Sequence, residues 1–193
     1  MKVAVAKYPI GMPADFDAFA ARQRGVLAQA AAQGARVAVL PEYLSLELAA
    51  TFAPPVRADL LASLAAIQQH RDAWLALYAD LARATGMYVV AGSFLLAHAD
   101  GRYRNRSDMF APDGGRFWQD KLQLTCFEKA TGVIDGGDML KVTAVDGARV
   151  GVSICYDSEF PLPVRAQYEA GARLLLVPSC TDTAAGATRV RSE

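Results

Sequence analysis

The chain has 193 residues, of which 53% are hydrophobic and 21% charged, a balance that excludes a disordered polypeptide and suits one domain able to bury a polar site. Twenty basic residues offset twenty acidic ones, which removes any global electrostatic case for nucleic acid or an anionic membrane surface. No apolar run approaches the ~20 residues that span a bilayer, and Pro9 soon interrupts the N-terminal apolar residues, so neither a membrane span nor a secretory leader is expected.

Residues 3–7 alternate and read as a first strand. Asp15 can cap a helix whose stripe is Phe16, Phe19, Val26, Leu27 and Ala30, with Gly34 as its stop. Residues 37–40 form a short buried strand running into Pro41-Glu42. An Ala- and Leu-rich region, 55–85, carries Trp74, Leu77, Tyr78 and Leu81 at helical spacing and ends at Gly86. Residues 87–94 read as one apolar strand. After that, Asp100-Gly101, Pro112-Asp113-Gly114-Gly115 and Asp146-Gly147 are turn signals between short alternating runs, which predicts hairpin-linked strands. Val150, Val152 and Ile154 alternate with Gly151, Ser153 and Cys155. Pro161 suits the first turn of a helix reaching toward Gly171, and residues 174–177 form a last strand. The pattern is α/β at both ends with strand-rich connections between. Residues 188–193 stop without a closing strand or cap, so the expected unit is a single domain over 1–193 that lacks its C-terminal part.

Three segments place a reactive side chain where a strand gives way to a loop: Pro41-Glu42, Asp120-Lys121 and Ile154-Cys155-Tyr156. A cysteine attacking a carbonyl or nitrile carbon needs a base for its proton, a cation or N–H donors for the developing charge, and an acid for the leaving nitrogen. Glu, Lys and Cys can fill these roles without histidine. His70 and His98 lie in a helix-like stretch and beside a turn, away from these segments. Taken singly, Cys155 reads as a packed hydrophobe, Glu42 as a solvated loop acid and Lys121 as a surface lysine. Cys126, Cys155 and Cys180 form no CxxC pair and no zinc pattern with two histidines, which suits a reduced, cytoplasmic protein. Cys126 and Cys180 read as structural thiols.

In order and spacing, the three segments resemble those of the nitrilase (carbon–nitrogen hydrolase) superfamily. Residues 151–161 (GVSICYDSEFP) are similar to its nucleophile segment, Lys121 in KLQLT to its lysine segment, and Glu128 to the second glutamate often found in that loop. The resemblance covers nearly the whole chain and implies a four-layer α-β-β-α sandwich. It also implies roles. Glu42 is the general base, Cys155 the nucleophile, and Lys121 with the backbone N–H of Tyr156 the stabiliser of the tetrahedral intermediate. Glu128 positions Lys121. Tyr156-Asp157 after the cysteine resembles the amidase-like branches rather than nitrilases proper, so an amide or carbamoyl-type small molecule and water are the expected substrates. No metal and no organic cofactor is required by that chemistry, and a homodimer or larger homo-oligomer is expected. The rival reading is a non-catalytic binding or scaffold member of the same fold. A papain-like protease lacks a suitably placed histidine, and no Gly-rich phosphate loop is present.

Overall fold

The computed structural model describes residues 1–98, 101–181, 185, 186 and 188. Asp100 of the expected Asp100-Gly101 turn and residues 189–193 lie outside the described residues. The chain opens with β1 (Val3–Val5), α1 (Phe16–Ala32) and β2 (Val37–Val39). Asp15 caps α1 by accepting the Ala18 N–H at 2.7 Å, as its place before the apolar stripe predicts. A 3₁₀ turn (Leu44–Thr51) follows, then α2 (Pro54–Arg57), α3 (Leu60–Ile67) and α4 (Arg71–Thr85). The stripe Trp74, Leu77, Tyr78 and Leu81 is buried along α4, and Gly86 ends that helix at φ +68°.

Residues 87–94, expected as one strand, are two: β3 (Tyr88–Val90) and β4 (Phe94–Ala97). The break is at Gly92, which takes φ +65° and passes so close to the Pro41 carbonyl that a Cβ there would lie 2.1 Å from its oxygen. Only glycine permits both the turn and the approach. The remaining elements are β5 (Tyr103–Phe110), β6 (Arg116–Asp120), α5 (Cys126–Thr131), β7 (Ile134–Asp135), β8 (Val142–Val145), β9 (Ala148–Val152), α6 (Pro161–Glu169) and β10 (Leu174–Leu176). A second 3₁₀ turn, Cys155–Glu159, lies between β9 and α6. The turns at 112–115 and 146–147 close the antiparallel β5–β6 and β8–β9 hairpins, as expected.

Two sheets result. The larger runs β1-β2-β3-β5-β4, with β6 and β7 also paired to β5, and the smaller runs β10-β9-β8. Period-two alternation sorts their side chains. Ala38, Leu40 and Val89 pack with Phe19, Leu27, Trp74 and Tyr78 beneath the helices. Val37, Val39, Val90 and Met109 face the other way and meet Val145, Val150, Val152 and Leu176 of the smaller sheet. On that sheet's outer side Gln167 of α6 accepts from the Ser153 hydroxyl at 2.9 Å and donates to the Val152 carbonyl at 3.1 Å. The layers are therefore helix, sheet, sheet, helix, an α-β-β-α sandwich. Glu42 and Lys121 lie just past the ends of β2 and β6 in one sheet, and Cys155 lies past the end of β9 in the other.

Candidate active site

Glu42 follows β2 and is 1% exposed. Its neighbour Tyr43 takes a left-handed backbone, φ +59°, and the Tyr43 N–H donates to Ser93 Oγ at 2.8 Å. The chain is thereby turned inward over Gly92 rather than out to solvent. Glu42 Oε1 accepts from Lys121 Nζ at 2.8 Å and from Asn105 Nδ2 at 2.9 Å.

Lys121 is just as deeply buried. Its backbone N–H donates to the Asn105 carbonyl at 2.8 Å, and its carbonyl accepts from the Gly137 N–H at 2.7 Å. Its ammonium bridges Glu42 and Glu128, with Glu128 Oε2 at 2.9 Å. Glu128 also closes a capping box with Thr125 at the start of α5, accepting the Thr125 N–H at 2.9 Å and hydroxyl at 3.0 Å. Tyr43 Oη donates to its other oxygen at 2.6 Å, and Asn105 Nδ2 at 3.2 Å. Glu128 therefore pairs with Lys121 inside the molecule and not with its exposed neighbour Lys129.

Cys155 opens the second 3₁₀ turn in a left-handed conformation, φ +47°, an uncommon state for a residue with a Cβ. Its N–H donates to the Pro178 carbonyl at 2.9 Å, which fixes the turn against the end of β10. The thiol donates to the Cys180 carbonyl oxygen at 3.8 Å and is near enough to Glu42 to feel its charge. Tyr156 is the next residue of the turn and is half-buried. Asp157, 2% exposed, ties the turn to the lysine loop. Its Oδ1 accepts the N–H groups of Leu122 at 3.0 Å and Gln123 at 2.6 Å, and its Oδ2 accepts that of Ile154 at 3.2 Å.

Burial and charge act against each other here. Burial raises the Glu42 pKa, and Lys121 only partly offsets it. Burial alone would lower Lys121, but the two carboxylates outweigh it and hold its pKa above the usual lysine value. Burial would likewise raise Glu128, yet Lys121 and the Tyr43 hydroxyl hold it below the ordinary carboxylate value. Burial, then the Glu42 charge, push the Cys155 thiol up to about 12. At neutral pH Cys155 is thus a thiol, and Lys121 is charged between the two acids.

A cleft of about 740 Å³ reaches this cluster, with Glu42, Tyr43 and Cys180 in its wall. Cys126 is exposed on α5, His70 stacks on Phe16, and His98 contacts Asp135. Among the described residues no group of three or more His, Cys, Asp or Glu side chains is disposed to hold a metal, and no helix is long and apolar enough to cross a membrane.

Tyr43, Asn105 and Asp157 are the members that sequence reasoning passes over. Asn105 sits in Arg104-Asn105-Arg106, which reads as a polar strand face, yet it is fully buried. The signal available was the alternation itself: Tyr103, Asn105 and Ser107 share the inward face of β5.

The sequence model for carbon–nitrogen hydrolases matches residues 2–191. A probable hydrolase of Bacillus subtilis, YhcX, is 28% identical over 191 residues, 99% of this chain and 36% of its own length. Among solved structures, a variant of the Nesterenkonia AN1 amidase from the nitrilase superfamily superposes with a TM-score of 0.70 at 22% identity, over 93% of this chain and 65% of that one. A carbon–nitrogen hydrolase from Helicobacter pylori G27 gives 0.78 at 17% identity, over 100% of this chain and 65% of that one. The chain thus spans just over one third of the Bacillus relative and just under two thirds of these two solved structures.

Proposed function

Because this chain belongs to the carbon–nitrogen hydrolase family, we propose that it hydrolyses the C–N bond of a small amide or carbamoyl-type molecule through a thioester on Cys155. One observation carries this reading: the Glu42 carboxylate accepts the Lys121 ammonium at 2.8 Å and acts through its charge on the Cys155 thiol, although the three residues follow strands of two different sheets.

The steps follow from the charges. Glu42 as its carboxylate, whose pKa burial raises, takes the thiol proton as sulfur bonds to the carbonyl carbon. Base assistance at that moment suits a thiol that is itself hard to ionise, and such help is worth ~10²–10⁴ in rate. The oxygen of the tetrahedral intermediate becomes an anion. Lys121 and the Tyr156 N–H, at the start of a 3₁₀ turn where backbone donors lack partners within the turn, are the groups to receive it. Loss of one such donor typically costs ~10²–10³. Glu42 then returns its proton to the leaving nitrogen as the C–N bond breaks and ammonia or an amine departs. Water, deprotonated by Glu42, attacks the thioester and the C–S bond breaks, releasing the acid and restoring the thiol. Glu128 and Asn105 hold Lys121 and Glu42 in register and do not exchange protons with substrate. Cys126, Cys155 and Cys180 form no disulfide, which suits a reducing, cytoplasmic setting.

The test is acid quench of the protein during turnover of a short amide, with mass spectrometry of the Cys155 peptide. An acyl mass increment on that peptide, ammonia release into solution, and loss of both in Cys155→Ala are expected. Ammonia release that survives Cys155→Ala would overturn the assignment.

A further inference from the structure

The cleft beside Glu42 is walled mainly by aliphatic side chains: Ile10, Met12, Leu46, Ala49, Ala50 and Pro54. Two of them, Ile10 at 67% and Met12 at 70% exposed, stand at its mouth on the connection between β1 and α1. Large apolar side chains held open to water in a cleft are surface that a ligand covers. That connection is also fixed in place. Glu47, 4% exposed, accepts the Gly11 N–H and the Tyr8 hydroxyl, the latter at 2.8 Å, and lies 3.6 Å from Arg22, which also donates to the Pro9 carbonyl. Those partners use up the Glu47 charge, so it does not call for a cation in the ligand. The other charged residue of the wall away from the catalytic cluster, Arg57, is exposed at the rim.

We propose that this cleft binds the acyl chain of the substrate, and that the chain is an uncharged aliphatic one longer than acetyl. The inference rests on the amide hydrolysis proposed above and assigns its substrate class. The acyl group stays at Cys155 through both half-reactions, whereas the nitrogen side must admit water beside Glu42. An aliphatic wall suits the part that stays. Transfer of each methylene from water to such a wall favours binding about fourfold, so the preference should grow with chain length.

The experiment compares kcat/KM for acetamide, butanamide and hexanamide, with N-hexylacetamide and the monoamide of adipic acid as controls. The expected rise from acetamide to hexanamide is on the order of a hundredfold, about fourfold per methylene. Ala50→Phe, which narrows the cleft, and Met12→Ala, which strips its mouth, should each collapse the hexanamide-to-acetamide ratio. Calorimetry on Cys155→Ser with the same amides reads binding without chemistry. Graded binding without turnover would leave the cleft assignment standing and overturn the reaction. Three results would overturn the assignment itself: a flat series in turnover and binding, preference for N-hexylacetamide, or the adipic monoamide outrunning hexanamide. The last would mean that Arg57 seats a carboxylate.

Discussion

Asp157 accepts the Gln123 N–H at 2.6 Å, and through that bond the turn bearing Cys155 holds the loop bearing Lys121. The same carboxylate takes Leu122 and Ile154, so three backbone donors from two segments depend on one side chain. Cys155 and Lys121 are thus spaced by a carboxylate whose bonds go to the backbone of both segments.

Replacing it tests that spacing. Asp157→Ala leaves three interior N–H groups without their acceptor and should lower unfolding free energy by about 3 kcal/mol, since one orphaned buried group costs ~1–3 kcal/mol. For Asp157→Asn, kcat should fall at least tenfold with KM nearly unchanged, because positioning rather than binding is lost. Burial pushes the Asp157 pKa up to about 6. Wild-type kcat should therefore fall as pH drops through 6 and the carboxyl loses an acceptor site, and Asp157→Asn should lack that limb. Stability runs the other way. A raised folded pKa means that the folded state binds the proton more tightly, so this group's contribution is full below about pH 4 and is lost as pH rises through 6. Steady-state kinetics and urea melts between pH 4 and 8 check both signs.

Glu42→Gln should separate proton transfer from thiol acidity. Ammonia release should fall by about 10²–10⁴ for want of a base. The Glu42 charge is one of the causes that raise the Cys155 pKa, so neutralising it should speed alkylation of Cys155 by iodoacetamide at pH 8. Competition alkylation of wild type and variant, read by mass spectrometry, would report the difference. Slower alkylation in Glu42→Gln would mean that the carboxylate activates the thiol toward every electrophile.

Lys121→Met leaves Glu42 and Glu128 facing each other in the interior without a cation. Loss of one partner of a buried pair costs ~3–5 kcal/mol, and a chemical melt should show it. Glu128, whose folded pKa is depressed, contributes stability that is present above the unfolded carboxylate value near 4.3 and lost as pH falls through its folded value. That acid-side loss should shrink in Lys121→Met, where nothing holds the Glu128 pKa down.

Gly92→Ala should be far worse than Gly86→Ala. Both glycines have positive φ, but an added Cβ at Gly86 meets open space whereas at Gly92 it meets the Pro41 oxygen. Gly86→Ala should cost about 1 kcal/mol. Gly92→Ala should cost more and also lower activity, because the atom displaced belongs to the residue just before Glu42. Thermal melts and ammonia release on both variants make the comparison.

That glycine also marks the limit of what the sequence discloses. Glu42, Lys121 and Cys155 stand out in the sequence as reactive side chains where strands give way to loops, and Glu128 through the resemblance of its loop to that of the family; the fold brings Lys121 between the two glutamates. The break at Gly92 does not stand out, because hydropathy over residues 87–94 is continuous and the cause is contact with Pro41, remote in sequence. Asn105 hides between two arginines, and its alternation with Tyr103 and Ser107 is the one sequence hint that its side faces inward. Tyr43 and Asp157 look like ordinary loop and turn residues. Their partners, Glu128 and the 122–123 backbone, are brought to them by the fold.

The two sheets carry unequal shares of the candidate site: Glu42 and Lys121 extend from one, Cys155 from the other, and Val37, Val39, Val90 and Met109 pack against Val145, Val150, Val152 and Leu176 between them. On the reaction proposed above, turnover is then a report on docking. A compact state that keeps its helices and strands but lets the sheets slide would retain Glu42, Lys121 and Cys155 and lose their alignment. Mild denaturant should therefore silence the protein before its far-ultraviolet circular dichroism changes, and substitutions such as Val152→Ala, far from any substrate atom, should weaken activity by loosening the grip of one layer on the other.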